Sequence, residues 1–164
     1  MKIGVVSDTH IPDRAKTMPQ EMLDAFKTVD MVIHVGDLVD INILKKIKYA
    51  CPDVRAVWGN MDNEKTKSEL PEKAIIKIGK YKIGMIHGWG SGVNSHLINI
   101  AKEVFKKDTI DIIIFGHSHT PYNETKDGIL FFNPGSPTDT VFAPYNSYGI
   151  IEINDKIEAK IIRI

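Results

Sequence analysis

Five apolar segments of the chain run straight into residues able to hold a cation. Val5-Val6-Ser7 leads into Asp8-Thr9-His10, Ile33-His34-Val35 into Gly36-Asp37, and Ala56-Val57-Trp58 into Gly59-Asn60. Gly84-Met85-Ile86 leads into His87-Gly88, and Ile112-Ile113-Ile114-Phe115 into Gly116-His117-Ser118-His119. A single Asp or Gly-Asn after a strand is more often a cap or a turn. Together, however, these five endings offer two carboxylates, one amide and four imidazoles. Residues i and i+2 of an extended chain project to one side, so Asp8 and His10, like His117 and His119, are each expected to aim at one region. Their Cα atoms would stand roughly 7 Å apart. Burying such groups together without compensation is expensive. Imidazoles, carboxylates and an amide oxygen, with no thiolate, select a borderline-to-hard divalent ion. Manganese, iron, cobalt, nickel and zinc all satisfy that description. Seven donors exceed one tetrahedral ion and suit two, about 3.5–4 Å apart, with Asp37 as the shared carboxylate.

The elements that must position these donors can be read from periodicity and turn chemistry. Strands are expected at Lys2–Ser7, Met31–Val35, Val54–Val57, Ile110–Phe115 and Ile129–Phe132. Ala74–Ile78 and Lys82–Ile86 read as a hairpin turning at Gly79-Lys80, and Tyr148–Ile153 with Ile157–Ile162 as another turning near Asn154-Asp155. Met22, Phe26 and Val29 recur with helical spacing, after Thr17 and Gln20 placed as a capping box with Pro19 in the first turn. Ile41–Lys48 reads as a short helix, and Val93, Leu97, Ile100, Ala101, Val104 and Phe105 line one face of the clearest helix. Strands alternate with helices early and pair as hairpins late. This is an α/β protein with mixed sheets, and residues 1–164 read as one domain.

Bulk composition narrows the function. Lysines plus arginines (21) equal aspartates plus glutamates (21), so the net charge is zero. A chain without positive excess lacks the long-range attraction of a non-specific nucleic-acid binder, which disfavours a nucleic-acid polymer as partner. The beginning of the sequence is a strand rather than a basic leader, and no apolar run reaches the ~20 residues of a membrane span. No membrane association is expected, and the setting is read as cytoplasmic. The one cysteine, Cys51, beside Pro52, reads as a small apolar residue.

The series D-x-H, G-D, G-N, H and G-H-x-H, in that order, resembles the calcineurin-like metallophosphoesterase superfamily. The words SDTH, HVGD, VWGNMD, IHG, FGHSHTP and NPGSPTD resemble its small prokaryotic phosphodiesterase branch, which is related to the metallophosphoesterase-fold subunit of the retromer. The resemblance implies a four-layer α/β/β/α sandwich with a dinuclear metal site at the strand ends. It implies one ion held by Asp8, His10, Asp37 and His119, and a second by Asp37, Asn60, His87 and His117. It also implies a homo-oligomer, a dimer or a tetramer.

The expected activity is hydrolysis of small phosphodiesters. A water bridging two cations loses proton affinity, its pKa falling from 15.7 to about 7 at a single zinc, and the resulting hydroxide would attack phosphorus in line. Asp37, Asn60 and His87 form the expected catalytic set, with the Asn60 amide also able to donate to a phosphate oxygen. Many superfamily members carry His directly after the Gly-Asn to protonate the departing oxygen; here that position is Met61. Methionine transfers no proton, so good leaving groups are expected to react best. Two alternatives stand beside this reading: a phosphomonoesterase or nucleotidase using the same metals, and a non-catalytic, retromer-like protein-binding scaffold.

Other polar residues are read more plainly. His34 inside its strand is expected to be a hydrogen-bonded core residue, His96 a surface residue, and Asp62 a support for the site. Asn133-Pro134-Gly135-Ser136 suits a structural loop and a phosphate contact equally. Arg14 is within reach of a phosphate but reads first as solvated, and Trp58 and Trp89 read as core or rim packing.

Overall fold

The computed structural model describes residues 1–164. The first part of the chain alternates β1 (Lys2–Val6), α1 (Gln20–Phe26), β2 (Met31–Val35), α2 (Asn42–Ala50), β3 (Val54–Val57) and α3 (Glu64–Glu69). A hairpin of β4 (Lys73–Ile78) and β5 (Tyr81–Ile86) is followed by α4 (Asn94–Val104) and β6 (Ile112–Ile114). Then come β7 (Tyr122–Lys126), β8 (Ile129–Asn133), β9 (Ser147–Ile153) and β10 (Ile157–Arg163).

The strands form two five-stranded sheets, ordered β10-β9-β1-β2-β3 and β4-β5-β6-β8-β7. Each sheet has three parallel strands, β1 with β2 and β3 in one, β5 with β6 and β8 in the other. Antiparallel partners complete both. Parallel strands are covered on both faces, which is why stretches such as MVIHV and III are buried throughout. Their carboxyl ends are where an α/β sheet offers room for a ligand.

Three apolar clusters define the layers. Ile3, Val5 and Ile33 of the first sheet meet Ile83, Ile112 and Phe132 of the second between the sheets. Met22 and Phe26 of α1, with Ile43 and Ile47 of α2, cover the outer face of the first sheet on Val6 and Val32. Leu97 and Ala101 of α4, with Phe105 just beyond it, cover the second sheet on Ile113 and Phe131. The order is therefore helix, sheet, sheet, helix. Removing one fully buried ring, as in Phe26→Ala, is expected to cost about 3–5 kcal/mol.

Some local expectations are corrected. The capping box does not form: Pro19 is the N-cap of α1, without a side-chain hydrogen bond. The Gln20 amide instead donates forward to Asp24 Oδ1 at 3.0 Å, because the helix begins at Gln20 itself. Val93 caps α4 and is 56% exposed rather than part of its buried stripe. Two polar elements, α3 and β7, carry no apolar periodicity and are additions to the reading of the sequence. β6 spans only Ile112–Ile114, so the chain has left the strand before His117 is reached.

Candidate metal centre

That early exit changes how the donors are aimed. His117 and His119 do not continue an extended strand; their φ values are 69° and 56°. Asp8, His10 and Asp37 also lie in the left-handed region, at 55°, 42° and 56°. Such backbone costs of order 1–3 kcal/mol per residue for a side-chain-bearing residue and persists only where surrounding structure enforces it. Hydrogen bonds between the strand tips supply that enforcement: Asp8 N–H donates to Gly36 O at 3.0 Å, His10 N–H to Asp37 O at 3.0 Å, and Gly116 N–H to His87 O at 3.1 Å. Gly36, at φ 92°, leaves no room for a side chain, since a Cβ there would lie 2.7 Å from His87 Nδ1.

All seven donors read from the sequence come to the same edge of the two sheets, in two groups. Asp8, His10 and His119 converge in one, and Asp37, His87 and His117 in the other, their donor atoms within 4.8 Å of one another in each. His117 and His119, expected to share one target, thus divide between the groups. Asp37 stands between them, its Oδ2 3.5 Å from His10 Nε2 and 3.2 Å from His87 Nε2. Asn60 presents Oδ1 to His117 Nδ1 at 2.9 Å.

Each carboxylate spends one oxygen on the backbone and aims the other inward. Asp8 Oδ2 accepts from His117 N–H at 3.1 Å, joining the two sheets, and Asp37 Oδ1 accepts from Met61 N–H at 2.8 Å. Asp8 Oδ1 is buried without a hydrogen-bond partner, 3.3 Å from His119 Nε2 and 3.8 Å from His87 Nε2. His87 donates from Nδ1 to Val35 O at 2.7 Å, which turns the lone pair of Nε2 inward, and Nε2 also lacks a hydrogen-bond partner. His119 donates from Nδ1 to Asp139 and turns its Nε2 inward in the same way.

Lone pairs and carboxylate oxygens thus face one another in a buried space, an arrangement that calls for positive charge. The histidines register it. Burial alone would depress the His87 pKa, yet the nearby carboxylates of Asp8 and Asp37 outweigh it and raise the pKa to about 9. Burial opposes the charged form of His119 too, and Asp8 with Asp139 overcome it to raise the pKa. For Asp8, burial acts upward but the surrounding histidines, His87 first, hold the carboxyl well below its usual range. No lysine or arginine pairs with Asp8 or Asp37. The donor set, its hardness and its unpartnered inward atoms fit divalent cations.

Around this floor lies a cleft of about 640 Å³, bordered by Arg14, Asn60, Met61, Thr120 and Phe142. Residues 1–156 match the calcineurin-like phosphoesterase superfamily domain. The chain belongs to this superfamily. It is 42% identical to a probable metallophosphoesterase of Methanocaldococcus jannaschii, over 100% of this chain and 82% of the relative. It is 30% identical to a phosphodiesterase of the same organism, over 82% of this chain and 83% of that protein. The structure of wild-type Vps29 of Entamoeba histolytica complexed with zinc shares 28% identity, covers 99% of both chains and has a TM-score of 0.77. As a superfamily member the chain is a metal-dependent phosphoesterase.

Beneath the calcineurin-like site the supporting residues are now visible. Asp62 accepts from Asp37 N–H at 3.0 Å, Val39 N–H at 2.7 Å and Gly59 N–H at 2.7 Å, fixing the Asp37 and Asn60 loops together. Burial raises its pKa all the same. The Asn133–Ser136 loop is structural: Asn133 donates to Gly116 O at 3.1 Å, and the buried Ser136 hydroxyl donates to Asp8 O at 2.7 Å. His34 is fully buried and bonded, as expected, while His96 is exposed. Neither tryptophan borders the cleft; Trp58 lies under Lys67, 5.5 Å from its Nζ, and Trp89 is 46% exposed. Asp139 is the residue that reading the sequence missed. Its only signal was its place at the end of the word NPGSPTD.

Proposed function

We propose that the chain is a phosphodiesterase that hydrolyses small phosphodiesters with two divalent ions, manganese first among the candidates. Asp8, His10 and His119 would hold one ion, Asn60, His87 and His117 the other, and Asp37 both. The observation that carries this reading is the orphaned pair, Asp8 Oδ1 and His87 Nε2, buried and aimed into the space between the two groups. Bound cations would supply Lewis acidity, acidifying a water and neutralising charge on the phosphoryl oxygens.

The chain's own residues do the remaining work. Asp37 fixes the separation of the two groups, and Met61 N–H fixes the Asp37 carboxylate at 2.8 Å. His87 is locked by Val35 O at 2.7 Å so that only Nε2 serves the site. The Asn60 amide, on the exposed side of the cleft, has an N–H group to offer a phosphate oxygen. The phosphodiesterase relative, at 30% identity, supports diesters over monoesters as substrates. Against a purely scaffolding role stands the presence of all seven donors at one edge.

The test is hydrolysis of a chromogenic phosphodiester and the matching monoester by metal-stripped protein, with each divalent ion restored in turn. The diester should be turned over faster, and only with metal. Asp37→Ala should lower that turnover by about 10³-fold or more. Faster monoester turnover, or metal-independent activity, refutes the reading.

A further inference from the structure

Arg14 stands alone at the mouth of the cleft. Arg55 pairs with Asp53 at 2.9 Å, and Arg163 lies over Tyr145 at 4.9 Å, away from the site. Arg14 instead borders the metal cleft, with its Cζ 5.2 Å from the centre of the Phe142 ring. Its guanidinium makes no ion pair and no hydrogen bond within the protein, so its planar fork of N–H donors is unspent. Phe142 is itself placed by the metal-facing residues: its ring lies 6.1 Å from that of His119, and Asp139 Oδ1 accepts from Phe142 N–H at 3.4 Å and from Val141 N–H at 2.8 Å. An exposed arginine has thus been given a position. Asp13 borders the same mouth without pairing with it, so selection there rests on the directed fork rather than on bulk potential.

The second observation is Met61, also at the mouth and 55% exposed. The floor of the cleft is formed by Asp37, His10 and His119, which are 2%, 6% and 7% exposed. A nucleophile held at that floor and attacking in line would send the departing oxygen toward the mouth, where Met61 has no proton to give and the Arg14 fork is free, with the Asp13 carboxylate beside it. A leaving group there must depart as an anion without being protonated, and an arginine fork would neutralise it. A phosphate monoester meets both demands, since its second ionisation lies near pKa 6. An alkoxide meets neither.

Resting on the phosphodiesterase reading above, we infer that the preferred substrates are diesters of pyrophosphate, cleaved at the phosphoanhydride bond, with Arg14 receiving the departing phosphate. Water oxygen bonds to the attacked phosphorus, and the bridging P–O bond breaks with its electron pair passing to the second phosphate. The two protons of the water go to solvent, one on attack and one from the new phosphate group. The products are two phosphate monoesters, and no further reactant enters.

The experiment compares kcat/KM for dithymidine diphosphate, an anhydride, with that for the p-nitrophenyl ester of thymidylate, a singly charged diester whose leaving group also needs no protonation. Manganese-loaded wild type, Arg14→Ala and Arg14→Lys are measured in parallel. Wild type should favour the anhydride by at least about tenfold, and Arg14→Ala should lower the anhydride-to-ester ratio by about 10²-fold, with partial recovery in Arg14→Lys. Circular dichroism and calorimetric titration with manganese report whether each variant is folded and loaded. An unchanged ratio in Arg14→Ala, or a wild type that prefers the ester, overturns the inference and leaves the phosphodiesterase reading standing. A wild type that hydrolyses neither compound with any divalent ion overturns both.

Discussion

Asp139 holds His119 from behind: its Oδ2 accepts the Nδ1–H of a ring whose Nε2 faces Asp8. The same carboxylate, through Oδ1, anchors the backbone at Val141 and Phe142. One side chain therefore sets both the tautomer of an inward-facing imidazole and the loop that carries the rim of the cleft. Carboxylates in this position raise ligand basicity and fix ring orientation. Asp139→Asn should weaken divalent-ion binding by about 10–100-fold, measured by calorimetric titration of the stripped protein. Unchanged affinity would remove Asp139 from the site.

Stripping and restoring metal should also be visible in stability. Without a cation, the carboxylates of Asp8 and Asp37 face the inward ring nitrogens of His87 and His119 at 3.2 to 3.8 Å. An ion that binds only the folded state stabilises it by about 2.7 kcal/mol at a hundredfold excess over its dissociation constant. For a chain of this size that corresponds to roughly 5–10 °C in melting temperature. Melting in chelator, and again with increasing manganese, should show this rise in wild type and a much smaller one in Asp37→Ala. Equal shifts in the two proteins would place the stabilising ion elsewhere.

The donors were legible because each follows an apolar run, and inner strands such as β2 were legible because burial on both faces leaves an unbroken apolar signature. β2 and β3 fall at their expected bounds, Met31–Val35 and Val54–Val57. The sequence is silent where burial is slight. β7, Tyr122–Lys126, is an edge strand whose residues from Asn123 onward are exposed, and α3 buries only Thr66. Aim was harder to read than identity. Side-chain direction was inferred from strand alternation, whereas five donors sit on left-handed backbone that hydrogen bonds between distant loops impose. Asp139 was hidden for a similar reason, since β7 and β8 lie between it and its partner His119 in the chain.

On the phosphodiesterase reading, Met61 predicts a steep leaving-group dependence. A positioned acid is worth about 10²–10⁴-fold when the leaving group needs protonation. Across phosphodiesters of rising leaving-group pKa, wild type should therefore slow steeply, and Met61→His should flatten the dependence by accelerating the poorest leaving groups. Met61 contributes its backbone N–H to Asp37 at 2.8 Å, which the substitution retains. A wild-type rate independent of leaving-group pKa would mean that some other group already supplies the proton.

His34 predicts how the fold responds to acid. It is fully buried, its Nδ1 accepts from Gly36 N–H at 3.2 Å, and its Nε2 lies 3.2 Å from the Thr9 hydroxyl. An accepting Nδ1 requires the neutral ring with hydrogen on Nε2. Burial is the main reason its pKa falls to about 3, with the neighbouring carboxylates only partly offsetting it. The folded value thus lies below the unfolded one, near 6.5. Above pH ~6.5 both states carry a neutral ring and pH has no effect through this residue. Below it the unfolded chain takes up a proton that the folded chain refuses, so stability is lost as pH falls from about 6.5 toward 3, at up to roughly 1.4 kcal/mol per pH unit. Denaturant unfolding of chelator-treated protein should show this slope, and His34→Gln should lose it. Imidazole NMR of the folded protein decides the point directly. A His34 ring that becomes protonated near pH 6 would mean that the Gly36 N–H bond does not hold its tautomer.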